Sequence, residues 1–321
     1  MKPTKIYFAL ISLLFLASCG QTKTETASAP TIGFIDFVED ATLAQAKQGF
    51  FDALNDSGFS EEKKTLNVIY RNAQGDQPTL LQASDYIISQ NPVLIATNTT
   101  LATVNAVQRT KSIPIFMMVA PSPELAKLTD EKGNAPANLF GTFETLDYIE
   151  TSITLINNLL PKAKVVGTIY SQSESQSVDA LNRLKKKCLE LGFTLEAIPV
   201  TNSSETQLVT EALLSKNIDV FFALPDNVIF ASFETIVKSC NNKNIPILTS
   251  EAGLVSRGAL ASYGADLYKW GYQSGQQASI YLKTKNTQGL KPEIVKNRNK
   301  VFNKEVAKLF NIIPDSTYSP L

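Results

Sequence analysis

Short apolar runs alternate with amphipathic stretches along this chain, and the whole alternation is made twice; nothing else in the sequence narrows the choice of fold so far. Residues 31–36 run apolar and end in Asp36. Leu43, Ala46, Phe50, Ala53 and Leu54 then recur at steps of three and four until Gly58, which predicts a helix over 41–57 with a glycine stop. Strands follow at 66–70, 93–96 and 113–118, separated by helices at 77–90 and 100–110. After a passage of turn formers (Pro121, Pro123, Gly133, Asn134, Pro136) and a helix opening near Leu146, the pattern restarts. Strands at 165–170, 194–200, 220–224 and 245–248 are interleaved with helices at 176–191, 204–216 and 227–242.

A strand that returns through a helix to a neighbouring strand runs parallel to it, and the helices cover both faces. The expected fold is therefore α/β, with two doubly wound parallel-sheet lobes, a hinge and a ligand cleft between them. A strand at 258–263, a long helix at 266–284 and a closing strand and helix within 293–310 are left over, and these are expected to cross back and complete each sheet. That gives residues 31–143 with 264–288 to lobe 1, and residues 144–263 with 289–321 to lobe 2.

Ahead of the first strand stand Lys2, Lys5, an apolar core over 6–16 and then Leu16-Ala17-Ser18-Cys19. The core is too short to span a bilayer, which takes about 20 apolar residues, and its parts are those of a secretory signal. Leu-Ala-Ser-Cys resembles the lipobox of bacterial lipoproteins, which implies removal of residues 1–18, acylation of Cys19 and a polar tether over 19–30. The protein is then expected to be exported and lipid-anchored to a bacterial membrane, the cell membrane or the outer membrane.

Composition removes several functions. There is no histidine, so the usual general base, the Ser-His and Cys-His dyads and the commonest zinc ligand are absent together. Lys plus Arg and Asp plus Glu both number 30, which leaves no basic excess for nucleic acid. Besides Cys19 the chain has only Cys188 and Cys240, too few for a thiolate metal site. Right-handed crossovers place the helices bearing these two cysteines on opposite faces of one sheet, so no disulfide between them is expected. No cofactor and no metal are expected, and the chain is expected to act as a monomer.

In an open parallel sheet, ligands bind beyond the carboxyl ends of the strands where strand order reverses. With order 2-1-3-4 the reversal in lobe 1 exposes Asp36 and Phe37 beside Thr97, Asn98, Thr99 and Thr100. In lobe 2 it exposes Ser173, Glu174 and Ser177 beside Asp226 and Asn227. Ser122, Phe143 and Glu251 are counted with them. Each loop leads into a helix N-terminus, which favours an anion such as a ligand carboxylate at 97–100. Asp36, Glu174 and Asp226 answer with negative charge for an ammonium. The same residue types also make ordinary N-caps and turns, so their weight comes from convergence at both switch points. Phe37, Phe143 and Tyr263 are the aromatic candidates for an apolar wall.

Four phrases carry a family resemblance: Asn72-Ala73-Gln74-Gly75-Asp76-Gln77, Thr201-Asn202-Ser203-Ser204, Pro225-Asp226-Asn227, and Arg257-Gly258-Ala259-Leu260-Ala261-Ser262. In this order and spacing they resemble the ABC-transporter substrate-binding proteins of the tryptophan- and tyrosine-binding kind, over nearly all of 31–314. The resemblance implies the type I periplasmic-binding-protein fold, two lobes that close over an amino acid, and delivery to a permease driven by an ATPase. It also implies that 97–100 and 173–177 form polar cleft walls and that Asp226 with Asn227 meets the ligand amine. The chain departs from the family's usual pattern at Asp36, at Asp40-Ala41 and at Phe143, which changes the charge and volume expected of the pocket.

The leading expectation is an extracytoplasmic solute-binding lipoprotein of an ABC importer, taking a small zwitterionic ligand. The alternative is a membrane-anchored lipoprotein that senses or scavenges a ligand without a transporter, an option that Gly20 after the cysteine favours through outer-membrane sorting. An enzyme is not expected, because no nucleophile elbow, phosphate loop or dinucleotide fingerprint occurs.

Overall fold

The computed structural model describes residues 28–321, so the expected signal segment, Cys19 and most of the tether lie outside the described residues. The first array is β1 Thr31–Asp36, α1 Ala41–Asp56, β2 Asn67–Asn72, α2 Gln77–Ser89, β3 Leu94–Asn98, α3 Thr100–Arg109, β4 Ile115–Met118 and β5 Leu139–Phe143. The second opens with α4 Tyr148–Leu159 and continues as β6 Val165–Tyr170, α5 Ser175–Leu191, β7 Thr194–Pro199, α6 Thr206–Leu214, β8 Val220–Ala223, α7 Asn227–Ala231, α8 Phe233–Asn242, β9 Ile247–Thr249, α9 Ala252–Val255 and β10 Ala261–Ala265. The chain ends with α10 Leu267–Thr284, β11 Glu293–Ile294, β12 Arg298–Phe302, α11 Lys304–Leu309 and β13 Ser319–Pro320.

Strand order is β11-β5-β4-β3-β1-β2 in one sheet and β13-β12-β10-β9-β8-β6-β7 in the other. Both contain the expected 2-1-3-4 core, so the switch points fall between β1 and β3 and between β6 and β8. The pairings are parallel except β10 with β12. β3 and β8 are buried at every position, which is why β8 and the Leu94–Ala96 part of β3 read as continuous apolar runs rather than as alternation. α10 returns from lobe 2 and lies along α1, close enough that a Cβ on Gly271 would stand 1.8 Å from the Ala46 carbonyl oxygen. Only glycine lets the two backbones meet there.

Several details differ from the sequence reading, among them β10, which runs to Ala265 and so keeps residues 264 and 265 in lobe 2, and the closing strand β13. β5 sits in the passage read as loop; it is four-fifths buried but follows a string of turn formers that hides it. The helix expected over 227–242 breaks at Ser232 into α7 and α8. The short α9 follows β9 and has no periodicity to betray it. β11 pairs with β5, so the chain stays with lobe 1 through Ile294 and not only to residue 288; two residues are too short a strand to announce their sheet.

The chain crosses between lobes three times, at residues 144–147, at Asp266 and at residues 295–297. Glu144 and Arg298 clamp two of these crossings together: Arg298 Nε donates to Glu144 Oε2 at 2.9 Å, and Nη2 to Oε1. Cys188 on α5 and Cys240 on α8 are free and buried, and burial pushes both thiols up to about 12, where they are chemically quiet.

Candidate ligand-binding site between the lobes

The two switch points face each other and enclose a cavity of about 30 Å³, lined from lobe 1 by Thr99, Thr100, Val119 and Trp270 and from lobe 2 by Tyr148, Gln176, Phe230 and Glu251. Asn227 lines it and also lines a second, more open cavity of about 130 Å³, where Phe37, Leu101, Ser173 and Glu174 meet the 201–203 loop. The inner cavity has room for a water or two, so anything larger enters only with the lobes apart.

Three residues at the inner cavity carry positive φ with side chains that disfavour it. Thr99 has φ 87°, Val119 φ 49° and Leu146 φ 65°, and all three line the cavity. A β-branched residue at positive φ costs on the order of 1–3 kcal/mol and persists where the surroundings hold it in place for a purpose. Here it brings Thr99 and Val119, just past the ends of β3 and β4, to the cavity wall. Thr99 is the residue ahead of α3, yet its hydroxyl caps nothing and, like Gln176 Oε1, it is buried with no hydrogen-bond partner. An uncapped ten-residue helix N-terminus beside an unused hydroxyl offers donors to an anion.

The carboxylates divide into two sets. Asp226 is fully buried and spent: Oδ1 accepts from the amides of Val228 (2.8 Å) and Ile229 (3.2 Å), and Oδ2 from the Ser171 amide (2.7 Å) and the Ser177 hydroxyl (2.5 Å). It caps α7 and pins the loop before α5. Asp36 is spent as well, accepting from Asn98 Nδ2 (2.8 Å), Lys47 Nζ (3.2 Å) and the Tyr70 hydroxyl (2.9 Å). Neither lines either cavity, so the expectation that they meet a ligand ammonium gives way to a structural role. Strand-end carboxylates look alike in sequence whether they cap a helix or face a ligand.

Glu174 and Glu251 are the carboxylates that do line the cleft. Glu174 Oε2 accepts from Asn227 Nδ2 (2.7 Å), the Asn227 amide (3.3 Å) and Gln176 Nε2. Burial, then the nearby charge of Asp226, hold its carboxyl well above the usual range. Glu251 Oε1 accepts from the Tyr148 hydroxyl (2.7 Å) and the Ser250 hydroxyl (3.0 Å), and burial raises the carboxyl to about 7. Its second oxygen takes no hydrogen bond among the described residues. A buried carboxyl poised near neutrality becomes fully charged when a cation arrives.

The remaining predicted residues sort by position. Thr99, Thr100, Asn227 and Glu251 come together at the inner cavity, and Phe37, Ser173 and Glu174 at the outer one. Thr97 turns inward to the Thr103 hydroxyl at 2.9 Å, Asn98 holds Asp36 and the Leu43 carbonyl, and Ser177 serves Asp226. Ser122 and Phe143 line a separate groove on lobe 1 with Pro123 and Pro292 and neither of the two cleft cavities. The aromatic wall is Trp270, Tyr148 and Phe230 rather than Phe143 and Tyr263. Trp270, the chain's single tryptophan, was the available signal: it opens a helix directly after a strand end.

Two α/β lobes joined by three crossings, with a cavity where both sheets switch direction, define a type I periplasmic-binding-protein clamp. A family model described as ABC transporter substrate binding protein matches residues 31–317, and the chain belongs to that family. A tyrosine-binding protein of Clostridioides difficile is 32% identical over 299 residues, covering 92% of this chain and 85% of its own. A Streptococcus pneumoniae ABC domain in complex with L-Trp shares the fold with TM-score 0.81 at 24% identity, covering 90% of this chain and 97% of its own. A ligand-free, open substrate-binding protein with adhesive properties from Clostridium difficile gives TM-score 0.66 at 27% identity, covering 91% of this chain and 99% of its own. As a family member the chain is an extracytoplasmic binding protein, not an enzyme, and works with an ABC permease and its ATPase to handle a small-molecule ligand.

Proposed function

We propose that the protein captures a free amino acid with an aromatic side chain for import and is held at the membrane by acyl chains on Cys19. One observation carries the ligand reading: a single cavity presents the uncapped N-terminus of α3 with the unpartnered Thr99 hydroxyl, the carboxylate of Glu251, and an aromatic wall of Trp270, Tyr148 and Phe230. The first receives an α-carboxylate, the second an ammonium and the third a ring. The curated relative named for tyrosine binding supports the same chemistry. Closure of the lobes then buries the ligand from water, and the ligand shifts the population toward the closed form by the contacts it makes to both lobes at once.

Calorimetric titration with L-tyrosine, its amide and its deaminated acid separates the two polar contacts. Each truncated analogue is expected to bind about tenfold more weakly or worse, since it leaves a buried partner unpaired. An analogue lacking the ammonium that binds as well as L-tyrosine removes Glu251 from the account.

The anchor rests on Leu16-Ala17-Ser18-Cys19 and the apolar core before it. Two or three acyl chains hold a protein far more firmly than one, at about 0.8 kcal/mol per buried methylene. Growth with a labelled fatty acid is expected to label the mature protein, and Cys19→Ala to abolish the label; unlabelled wild-type protein contradicts the anchor.

A further inference from the structure

We propose that Arg257 and Asp40 form a latch that draws the lobes together by itself, and that Gly253 is the point where they must touch for it to engage. Asp40 belongs to lobe 1 and divides its carboxylate between two tasks. Oδ1 caps α1, accepting from the Thr42 amide at 2.8 Å and the Leu43 amide at 3.0 Å. Oδ2 faces across the cleft and accepts from Arg257 Nη1 of lobe 2, which also donates to the Thr42 hydroxyl at 2.9 Å. Away from the hinge, this is the only side-chain hydrogen bonding that joins lobe 1 to lobe 2 among the described residues.

Arg257 is prepared for this contact within its own lobe. Its Nε and Nη2 donate to Glu234 at 2.8 and 2.9 Å, and Nη2 also donates to the Phe230 carbonyl at 2.9 Å. The guanidinium plane is therefore fixed before the lobes meet, and little side-chain freedom is lost on docking. The pair is shielded: the Asp40 side chain is 1% exposed and that of Arg257 12%, so solvent and salt weaken it less than a surface pair. Beside it α9 presses backbone onto α1, where a Cβ on Gly253 would stand 2.2 Å from the Thr42 methyl. The position has no positive φ, so alanine is unstrained there with the lobes apart and obstructive with them together.

The latch acts on the closed form whether or not a ligand is bound, so its test needs none and stands apart from the amino-acid reading. Small-angle scattering of the ligand-free mature protein compares wild type with Asp40→Asn and Gly253→Ala. Asparagine caps a helix as well as aspartate, so the first variant keeps α1 and loses only the charge; the second keeps the charge and wedges the contact. Both are expected to have a larger radius of gyration than wild type, with the closed share of molecules reduced several-fold, while thermal melts stay cooperative. Scattering curves that superpose for all three proteins overturn the latch, as does a wild type already as extended as both variants.

Discussion

Trp270→Ala is expected to cost about 3–5 kcal/mol of folding stability and to weaken aromatic amino-acid binding by about tenfold or more. The indole is 3% exposed, its Nε1 donates to the Thr142 carbonyl at 2.8 Å, and its ring walls the inner cavity beside Glu251. Alanine opens a void between α10 and β5 and orphans a strand-end carbonyl in one step. Trp270→Phe separates the two, because it keeps most of the ring and loses the hydrogen bond, at about 1–2 kcal/mol. Urea unfolding monitored by circular dichroism gives both differences. Since the chain has no other tryptophan, wild-type fluorescence reports from this site alone and is expected to change on ligand addition.

Arg298→Ala is expected to destabilise by about 3–5 kcal/mol, because Glu144, 0% exposed, would lose its only cationic partner among the described residues and keep just the hydrogen bonds donated by the Thr145 amide and hydroxyl. The loss falls on the hinge, where Glu144 leaves β5 and Arg298 begins β12, so the lobes should also close less cooperatively over ligand. Adding Glu144→Gln to the variant is expected to restore a large part of the stability, since it removes the stranded charge. A double variant no more stable than Arg298→Ala would show that the guanidinium acts by packing on Tyr148 instead.

The arrays, their strand order and therefore the place of the cleft were legible before any coordinates, because buried parallel strands and amphipathic helices announce themselves by period. Thr99, Thr100, Glu174 and Asn227 were expected at the cleft from that placement, and they line the two cavities there. What escaped has a common physical cause. Asp36 and Asp226 differ from Glu174 and Glu251 only in which neighbours reach their oxygens, and Lys47, Tyr70 and Ser177 are known as those neighbours only once the chain is folded. Trp270 and Tyr148 come to the cavity from helices far from the switch points in sequence. The positive φ values at Thr99 and Val119 leave no mark in residue type, since neither is a residue that favours them. Asp40 and Arg257 stand 217 positions apart, and nothing local couples them.

Glu251 gives the central claim its most direct test, because its charge state acts on folding and on binding with opposite signs. The native protein holds this proton up to about pH 7, whereas the unfolded chain releases it near the ordinary 4.5. Between those values the unfolded state binds fewer protons, so this group's contribution to ligand-free stability falls as pH rises, by about 3 kcal/mol in all. Binding of an ammonium needs the carboxylate, so affinity rises over the upper part of that window. Calorimetric titration of L-tyrosine and L-tryptophan at pH 6 and pH 8 into wild type and Glu251→Gln reads this directly. The account predicts severalfold tighter binding by wild type at pH 8 than at pH 6, and weak, pH-independent binding by the variant; equal affinities for the two proteins at both pH values would contradict it.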